Sequence, residues 1–277
     1  MNNIFTVDLE EWFHANYEDN LFDNNKKYEI RVIENTEKLL EILDKNNSKA
    51  TFFTLGYIAK NYPKLVKKIH SCGHEIASHG MNHQLVYNQS ELEFRKDIRE
   101  SKKLLEEVIG DEIIGYRAPS WSITEKSKWA WKILAEEGFL YDASVFPIKN
   151  FLYGMPDSDR FKYDISYNME TLNTIEVPSS TAKFFGKNIP FSGGAYFRLF
   201  PIQLIKYFTK SVNKEGQPVI FYIHPREIDI NQPRLNLKFR DRMIHYYGIN
   251  SCYGKLEKLS KENKFISIKD YLQINPQ

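Results

Sequence analysis

HEIASHGMNH, residues 74–83, reads as a short buried strand, His74–Ser78, running straight into a polar turn that carries His79 and His83. Two imidazoles four residues apart fall on one side of a helical turn or tight loop, so both rings can reach a single metal ion. Imidazole is the commonest protein ligand for zinc-type metals, and a catalytic zinc site wants a third protein ligand and a position for water. A surface turn that merely contains two histidines has the same spacing, so the rest of the chain has to supply the missing parts.

Working outward, strands and helices alternate on both sides of this stretch. Upstream, Ile4–Val7 is a short apolar run ending at Asp8, and residues 29–45 place Ile33, Leu39, Leu40 and Leu43 on one helical face. Ala50–Leu55 is β-branched and aromatic and is closed by Gly56; Pro63 opens a short helix stopped by Gly73. Downstream, residues 90–109 form an amphipathic helix with Ser90 and Glu93 as a capping box. Ile113–Tyr116 is a strand followed at once by Arg117-Ala118-Pro119-Ser120, Thr124–Glu137 is a helix ended by Gly138, and Phe139–Val145 holds Asp142. This alternation predicts an α/β fold with a parallel sheet or β/α barrel. From 148 to 200 the pattern loosens into long loops and antiparallel hairpins that shape the substrate mouth or a subunit contact, and strands return at 218–224 and 263–268. With no internal repeat or low-complexity linker, residues 1–277 are read as one domain.

Composition narrows the function. The chain is 42% hydrophobic and 27% charged, enough for a sizeable core, and its net charge of +2 decides against a nucleic-acid binder driven by overall field. Aromatic residues make up 14%; most are core, and stacking on sugar rings is a second use. Cys72 and Cys252 do not make a disulfide framework. The start MNNIFTVDLEEW lacks a basic segment followed by an apolar stretch, and no apolar run approaches a membrane span, so a cytoplasmic protein without stable membrane insertion is expected.

Chemistry-bearing residues recur at the strand ends: Asp8 and Glu10 after the first, His79 and His83 after the third, Arg117 after the fourth, Asp142 in the next, His224 at a late one. In parallel α/β architecture these ends converge on one face. The islands TVDLE at 6–10, SHGMNH at 78–83, YRAPS at 116–120, YDAS at 141–144 and IHP at 223–225 resemble, in order and spacing, the successive motifs of the NodB-type polysaccharide deacetylases, carbohydrate esterase family 4. RAPSWSIT, DASVFPI, GGAYFRLFP and FYIHPREID resemble a branch found in exopolysaccharide and surface-glycan gene sets. The resemblance covers nearly the whole chain. It implies a distorted (β/α)7 barrel, a divalent metal, usually zinc, and hydrolysis of an N-acetyl group from an amino sugar. By position it implies His79 and His83 as metal ligands, Asp8 as general base oriented by Arg117, and His224 as general acid paired with Asp142. The oxyanion would lie between the metal and a backbone N–H, here that of Ser120.

The match departs from the family in places. The commonest first motif is two adjacent aspartates, the second on the metal, and here Leu9 stands second. Strand alternation points Leu9 away from Asp8 and returns Glu10 to the same face, so Glu10 is assigned to the metal and Asp8 to the base, with the swapped assignment as the alternative. Glu11 points away and is read as solvated. Ser120 replaces the usual aromatic residue after the motif proline, and Trp121 takes over as groove wall. Ser192-Gly193-Gly194 with Tyr196 and Arg198 is either a substrate-contacting loop, using Gly194 and Tyr196, or a tight turn. Glu227 is read as orienting a loop or ligand.

Three functions compete: a metal-dependent deacetylase acting on an N-acetylated amino sugar or oligosaccharide, a hydrolase of another linear or cyclic amide, and a noncatalytic carbohydrate-binding module. Retention of both base and acid candidates argues against the third. A homo-oligomer is compatible with all three.

Overall fold

β1 (Asn3–Leu9), buried at every residue, is the strand around which the sheet is built. The computed structural model describes residues 1–16, 28–150 and 153–274. After β1 come α1 (Val32–Lys45), β2 (Thr51–Thr54), α2 (Gly56–Asn61), α3 (Pro63–Ser71), β3 (Glu75–Ser78), α4 (Glu91–Ile109), β4 (Gly115–Tyr116), α5 (Trp129–Glu136) and β5 (Tyr141–Asp142). Four strands then follow without an intervening helix: β6 (Tyr163–Tyr167), β7 (Glu170–Glu176), β8 (Thr181–Phe184) and β9 (Lys187–Pro190). The chain closes with α6 (Gly194–Leu199), α7 (Ile202–Lys214), β10 (Ile220–Ile223), α8 (Phe239–Tyr246), α9 (Ile249–Glu262), β11 (Phe265–Ile266) and α10 (Ile268–Leu272).

The sheet runs β10-β1-β2-β3-β4-β5-β7, all parallel, with β6 antiparallel on the β7 edge and β11 beside the start of β1. That parallel run matches the strand number expected for the distorted barrel. Between β7 and β10 closure comes from loop segments: Tyr222 N–H donates to Ser192 O (3.1 Å), Ile220 N–H to Ser180 Oγ (2.8 Å), and Gly193 bridges Tyr222. Gly193 has to be glycine, because a Cβ there would lie 2.3 Å from the Tyr222 ring.

Alternation sorts the side chains into two layers. Phe5, Val7, Leu9, Phe52 and Ile76 pack under the helices with Leu39, Leu43, Val66, Ile98 and Leu134. Ile4, Phe53, Ala77, Ile114 and Tyr141 form a second cluster on the opposite, inner face. Thr6 and Asp8 share that face with Ile4 by the same alternation.

The expected helices and strands shorten at their ends. His74 leaves β3 and instead accepts the Ala50 N–H on Nδ1 (3.2 Å), and the helix expected from Thr124 begins at Trp129 because Ser127 Oγ accepts the Thr124 N–H in a turn. Ile33 stands 40% exposed, against its expected place in the core. Glu11 reverses its reading altogether: it is buried and accepts the Arg31 and Val32 N–H groups (3.1–3.2 Å), satisfying donors at the start of α1. That burial raises its carboxyl to about 7.

One glycine is fixed by packing inside the sheet. A Cβ at Gly115 would lie 2.0 Å from the Tyr141 ring, and that ring is pinned by its hydroxyl donating to Glu75 Oε1 (2.8 Å). Gly115→Ala is therefore expected to lower the unfolding free energy in urea by about 1–3 kcal/mol, the usual cost of overpacking. An unchanged midpoint would show that Tyr141 can move aside freely.

Candidate metal and acid-base centre

Glu10, His79 and His83 are buried and offer one ligand atom each, all within 4.8 Å of one another. Glu10 directly follows β1, His79 directly follows β3, and His83 ends the loop after β3, so the site lies at the carboxyl ends of the strands. The loop is not helical. His83 and Gly80 both have left-handed backbone, φ +58° and +77°. Asp97 on α4 holds the loop by accepting the Met81 N–H (2.9 Å), and Ser101 Oγ donates to Gly80 O (3.0 Å). Burial raises the Asp97 carboxyl to about 6.

The protonation pattern suits a cation. His79 Nδ1 lies 2.7 Å from Arg117 O, which makes Nδ1 the donor and leaves Nε2 as the free ligand atom. Burial lowers the His79 pKa to about 4, so the ring is neutral near pH 7. Burial alone would raise Glu10, but His83, His224 and Arg226 outweigh it and hold the carboxyl well below its usual range. Glu10 Oε2 stands 2.7 Å from His83 Nε2 yet has no hydrogen-bond partner among the described residues. A buried carboxylate oxygen and an imidazole nitrogen this close, with His79 alongside, have the donor chemistry and spacing for shared ligation of a metal.

Acid and base flank this group. Arg117, itself 1% exposed, donates from Nη1 to Asp8 Oδ1 (2.7 Å) and Thr6 Oγ1 (2.8 Å), and from Nε to Ala143 O (3.2 Å). Its guanidinium carbon lies 4.0 Å from the centroid of the Phe53 ring. Burial would raise Asp8, but Arg117, His79 and His224 lower it overall, so it is ionised. His224, just past β10, has Nε2 3.7 Å from Asp8 Oδ2 and 3.8 Å from Glu10 Oε1.

The structure corrects the partner of His224. Asp142 does not reach it: Trp131 Nε1 donates to Asp142 Oδ2 (3.0 Å), Ser144 Oγ donates to Oδ1, and Glu176 is its carboxyl neighbour. Burial raises Asp142 to about 6 against the lowering hydrogen bond to Glu176, whereas burial and the neighbouring Asp142 together raise Glu176 well above the usual range. The residue on His224 Nδ1 is Glu227 Oε2 (3.3 Å), three positions on in the turn that follows β10. Arg198 backs Glu227 through Nε to Oε1 (3.0 Å) and fills its other donors with the carbonyls of Ile244 (2.6 Å), His245 (3.1 Å) and Tyr247 (2.5 Å). Burial opposes the charged imidazole, yet Glu227 and Glu10 raise the His224 pKa above its ordinary value.

The residues expected to contact substrate fall out differently. Ser120 and Trp121 adopt φ of +51° and +50°, a strained backbone of the kind that gathers at functional sites. Ser120 Oγ accepts from Asn16 Nδ2 (3.1 Å), and the same amide lies 3.1 Å from His83 Nδ1. Asn16 carries no motif signal and escapes sequence reasoning. Trp121 is no open groove wall: it is 6% exposed, donates from Nε1 to Ser179 Oγ (2.8 Å), and packs with Phe146, Tyr153 and Tyr222. Gly194 is buried against the Tyr222 ring, and Tyr196 is half-buried at the edge of the same aromatic cluster. Gly193 caps α6 and Gly194 is its first residue, so the pair opens a helix and is not a turn between strands.

Three buried residues that could hold a metal ion thus stand at strand ends, with an arginine-held carboxylate and a glutamate-held histidine beside them. Residues 21–139 match the sequence model of the polysaccharide deacetylases, and residues 143–273 match a domain of unknown function, DUF3473. Residues 21–139 of the chain are thus similar to the polysaccharide deacetylases. A peptidoglycan-N-acetylglucosamine deacetylase of Bacillus cereus is 32% identical over 104 residues, 38% of this chain and 47% of that protein. A chitooligosaccharide deacetylase of Azorhizobium caulinodans is 32% identical over 90 residues, 31% of this chain and 43% of that protein. The chain thus spans less than half the length of these relatives. A Mycobacterium smegmatis structure assigned to the polysaccharide deacetylases superposes with a TM-score of 0.62 at 20% identity, covering 100% of this chain and 94% of that one. An allantoinase superposes at 0.60 with 16% identity, covering 95% and 85%.

Two predictions follow from this geometry. In calorimetric titration with Zn²⁺, Glu10→Gln and His79→Ala lose tight binding while Asp8→Asn keeps it; the reverse for the two acids would move the third ligand to Asp8. Second, His74 and His79 have pKa values lowered by burial to about 4 from an ordinary 6.5. Each of these two rings therefore contributes stability that is lost as pH falls between those values, and in the metal-free protein ring-proton NMR should place both titrations near 4. Titration of either ring near 6.5 would contradict neutral buried histidines.

Proposed function

We propose that the chain is a metal-dependent hydrolase that removes an N-acetyl group from an amino sugar within a glycan. The observation that carries this is the Glu10–His79–His83 group with Asp8 and His224 both turned to it. Zinc is the proposed metal, since two histidines and one glutamate make a known catalytic zinc donor set. When bound, it supplies Lewis acidity towards the amide carbonyl and a water molecule.

The side chains divide the proton transfers. Arg117 occupies Asp8 Oδ1, so Oδ2 is the atom left to take a proton from the attacking water. His224 holds its reactive proton on Nε2 because Nδ1 is engaged by Glu227, and that proton goes to the departing amine. The amine is a poor leaving group unless protonated, and a raised His224 pKa keeps the acid charged near neutral pH. The Ser120 N–H is proposed as the oxyanion donor; among the described residues it has no hydrogen-bond acceptor, which leaves it available. The glycans processed by the Bacillus cereus and Azorhizobium relatives suggest N-acetylglucosamine oligomers as first substrates.

Zinc-loaded protein should release acetate from N-acetylated chito-oligosaccharides. Asp8→Asn and His224→Ala should each cut kcat/KM by about 10²–10⁴-fold, the usual worth of a general acid or base. Glu227→Gln should lower kcat and shift the basic limb of the pH profile downward, with Glu227→Asp restoring part of both. Folded, zinc-loaded protein that releases no acetate from any N-acetylated sugar would sink the reading.

A further inference from the structure

The β8–β9 hairpin ends in Lys183-Phe184-Phe185-Gly186-Lys187, and all five residues are exposed. Phe184 pairs with Lys187, so the loop has two residues, and both have positive φ: Phe185 at +47° and Gly186 at +76°. This is the primed turn that favours Asn-Gly, and a bulky side chain at its first position is strained. Phe185 is also 91% exposed. Its aromatic contact is the edge of Phe184, centroid to centroid 4.6 Å, and Phe184 in turn is 47% exposed and reaches Phe208 on α7 at 6.3 Å. Backbone preference and water both disfavour phenylalanine here, and no burial in the chain offsets either. A residue that breaks local rules without an internal return is expected where it serves an external contact.

The flanking residues indicate what that contact is. Lys183 and Lys187 bracket the aromatic tip, and neither has an ion-pair partner among the described residues. Apolar rings at an apex with lysines on both arms match the layering of a lipid surface: acyl boundary for the rings, anionic headgroups for the ammonium groups. Phe184 and Phe185, with no polar ring atom, can seat wholly in an apolar layer, which a Tyr hydroxyl or Trp N–H would resist. We infer that the 183–187 hairpin tip is a peripheral attachment element that inserts Phe184 and Phe185 into the headgroup region of an anionic membrane. This attachment is independent of the catalytic reading, and it involves no membrane-spanning segment.

Co-sedimentation of the full chain with phosphatidylglycerol–phosphatidylcholine vesicles tests it, with pure phosphatidylcholine vesicles as control. Binding should be stronger to the anionic vesicles and weaken with salt. Phe185→Asn is the decisive variant, because asparagine suits the left-handed turn: Tm should stay equal or rise while the partition coefficient falls about tenfold or more, from loss of one inserted ring. Lys183→Gln/Lys187→Gln should remove the preference for anionic lipid. The inference is overturned if the wild-type chain binds neither vesicle, if Phe185→Asn binds as well as wild type, or if light scattering shows a Phe185-dependent dimer.

Discussion

The buried guanidinium of Arg117 is the contact on which the centre depends. Its side chain joins β1 through Asp8 and Thr6 and meets the backbone after β5 at Ala143, while its own carbonyl orients His79. One residue thereby fixes Asp8, sets the tautomer of His79 and ties together three strand ends. A buried charge is costly unless paired and hydrogen-bonded, and here the ion pair to Asp8 and the Phe53 ring supply the compensation. Removing either partner would strand the other in the core, which couples the stability of this face to its chemistry.

A second buried cation mirrors it across the site. Arg198 holds Glu227, and Glu227 holds His224, so the acid is positioned from the second half of the chain as the base is from the first. The pairs run Arg117–Asp8 on one side and His224–Glu227–Arg198 on the other, with the Glu10–His79–His83 group adjoining both. Such a network is stable only when each member is satisfied. That explains why Arg198 spends its remaining donors on three carbonyl acceptors, Ile244, His245 and Tyr247, around the end of α8. β1, which precedes both sequence-model regions, joins them in one sheet: it pairs with β2 of the first and β10 of the second, and Asp8 faces His224.

The legible parts of the fold were those with strong periodicity. The Ser90–Glu93 capping box, the breaks at Gly73 and Gly138, and the alternation of β1 that returns Glu10 to the face of Asp8 all carry their physical reason in a few neighbouring residues. The short helices α2 and α6 and the later helices α7 to α10 carry weaker patterns and were not read out, whereas the strands at 218–224 and 263–268 were. Glu11 was misread because its role depends on α1 starting twenty residues later, where two free N–H groups need an acceptor. Trp121 was misread because burial by Phe146, Tyr153 and Tyr222 depends on loops distant in sequence.

Which residues gather at the centre is legible along the chain, because Asp8, Glu10, His79, His83, Arg117 and His224 each sit at the end of a recognisable strand and strand ends of a parallel sheet converge. Who holds whom is set by packing. Asp142 lies at a strand end as the motif order suggests, but Trp131, Ser144 and Glu176 claim its oxygens. His224 takes Glu227 because a tight turn after β10 folds that carboxylate back onto the imidazole, and Arg198 arrives from another element to keep it charged. Spacing along the chain limits which residues can reach a site; which hydrogen bonds they make there is set by the packing of segments far apart in sequence.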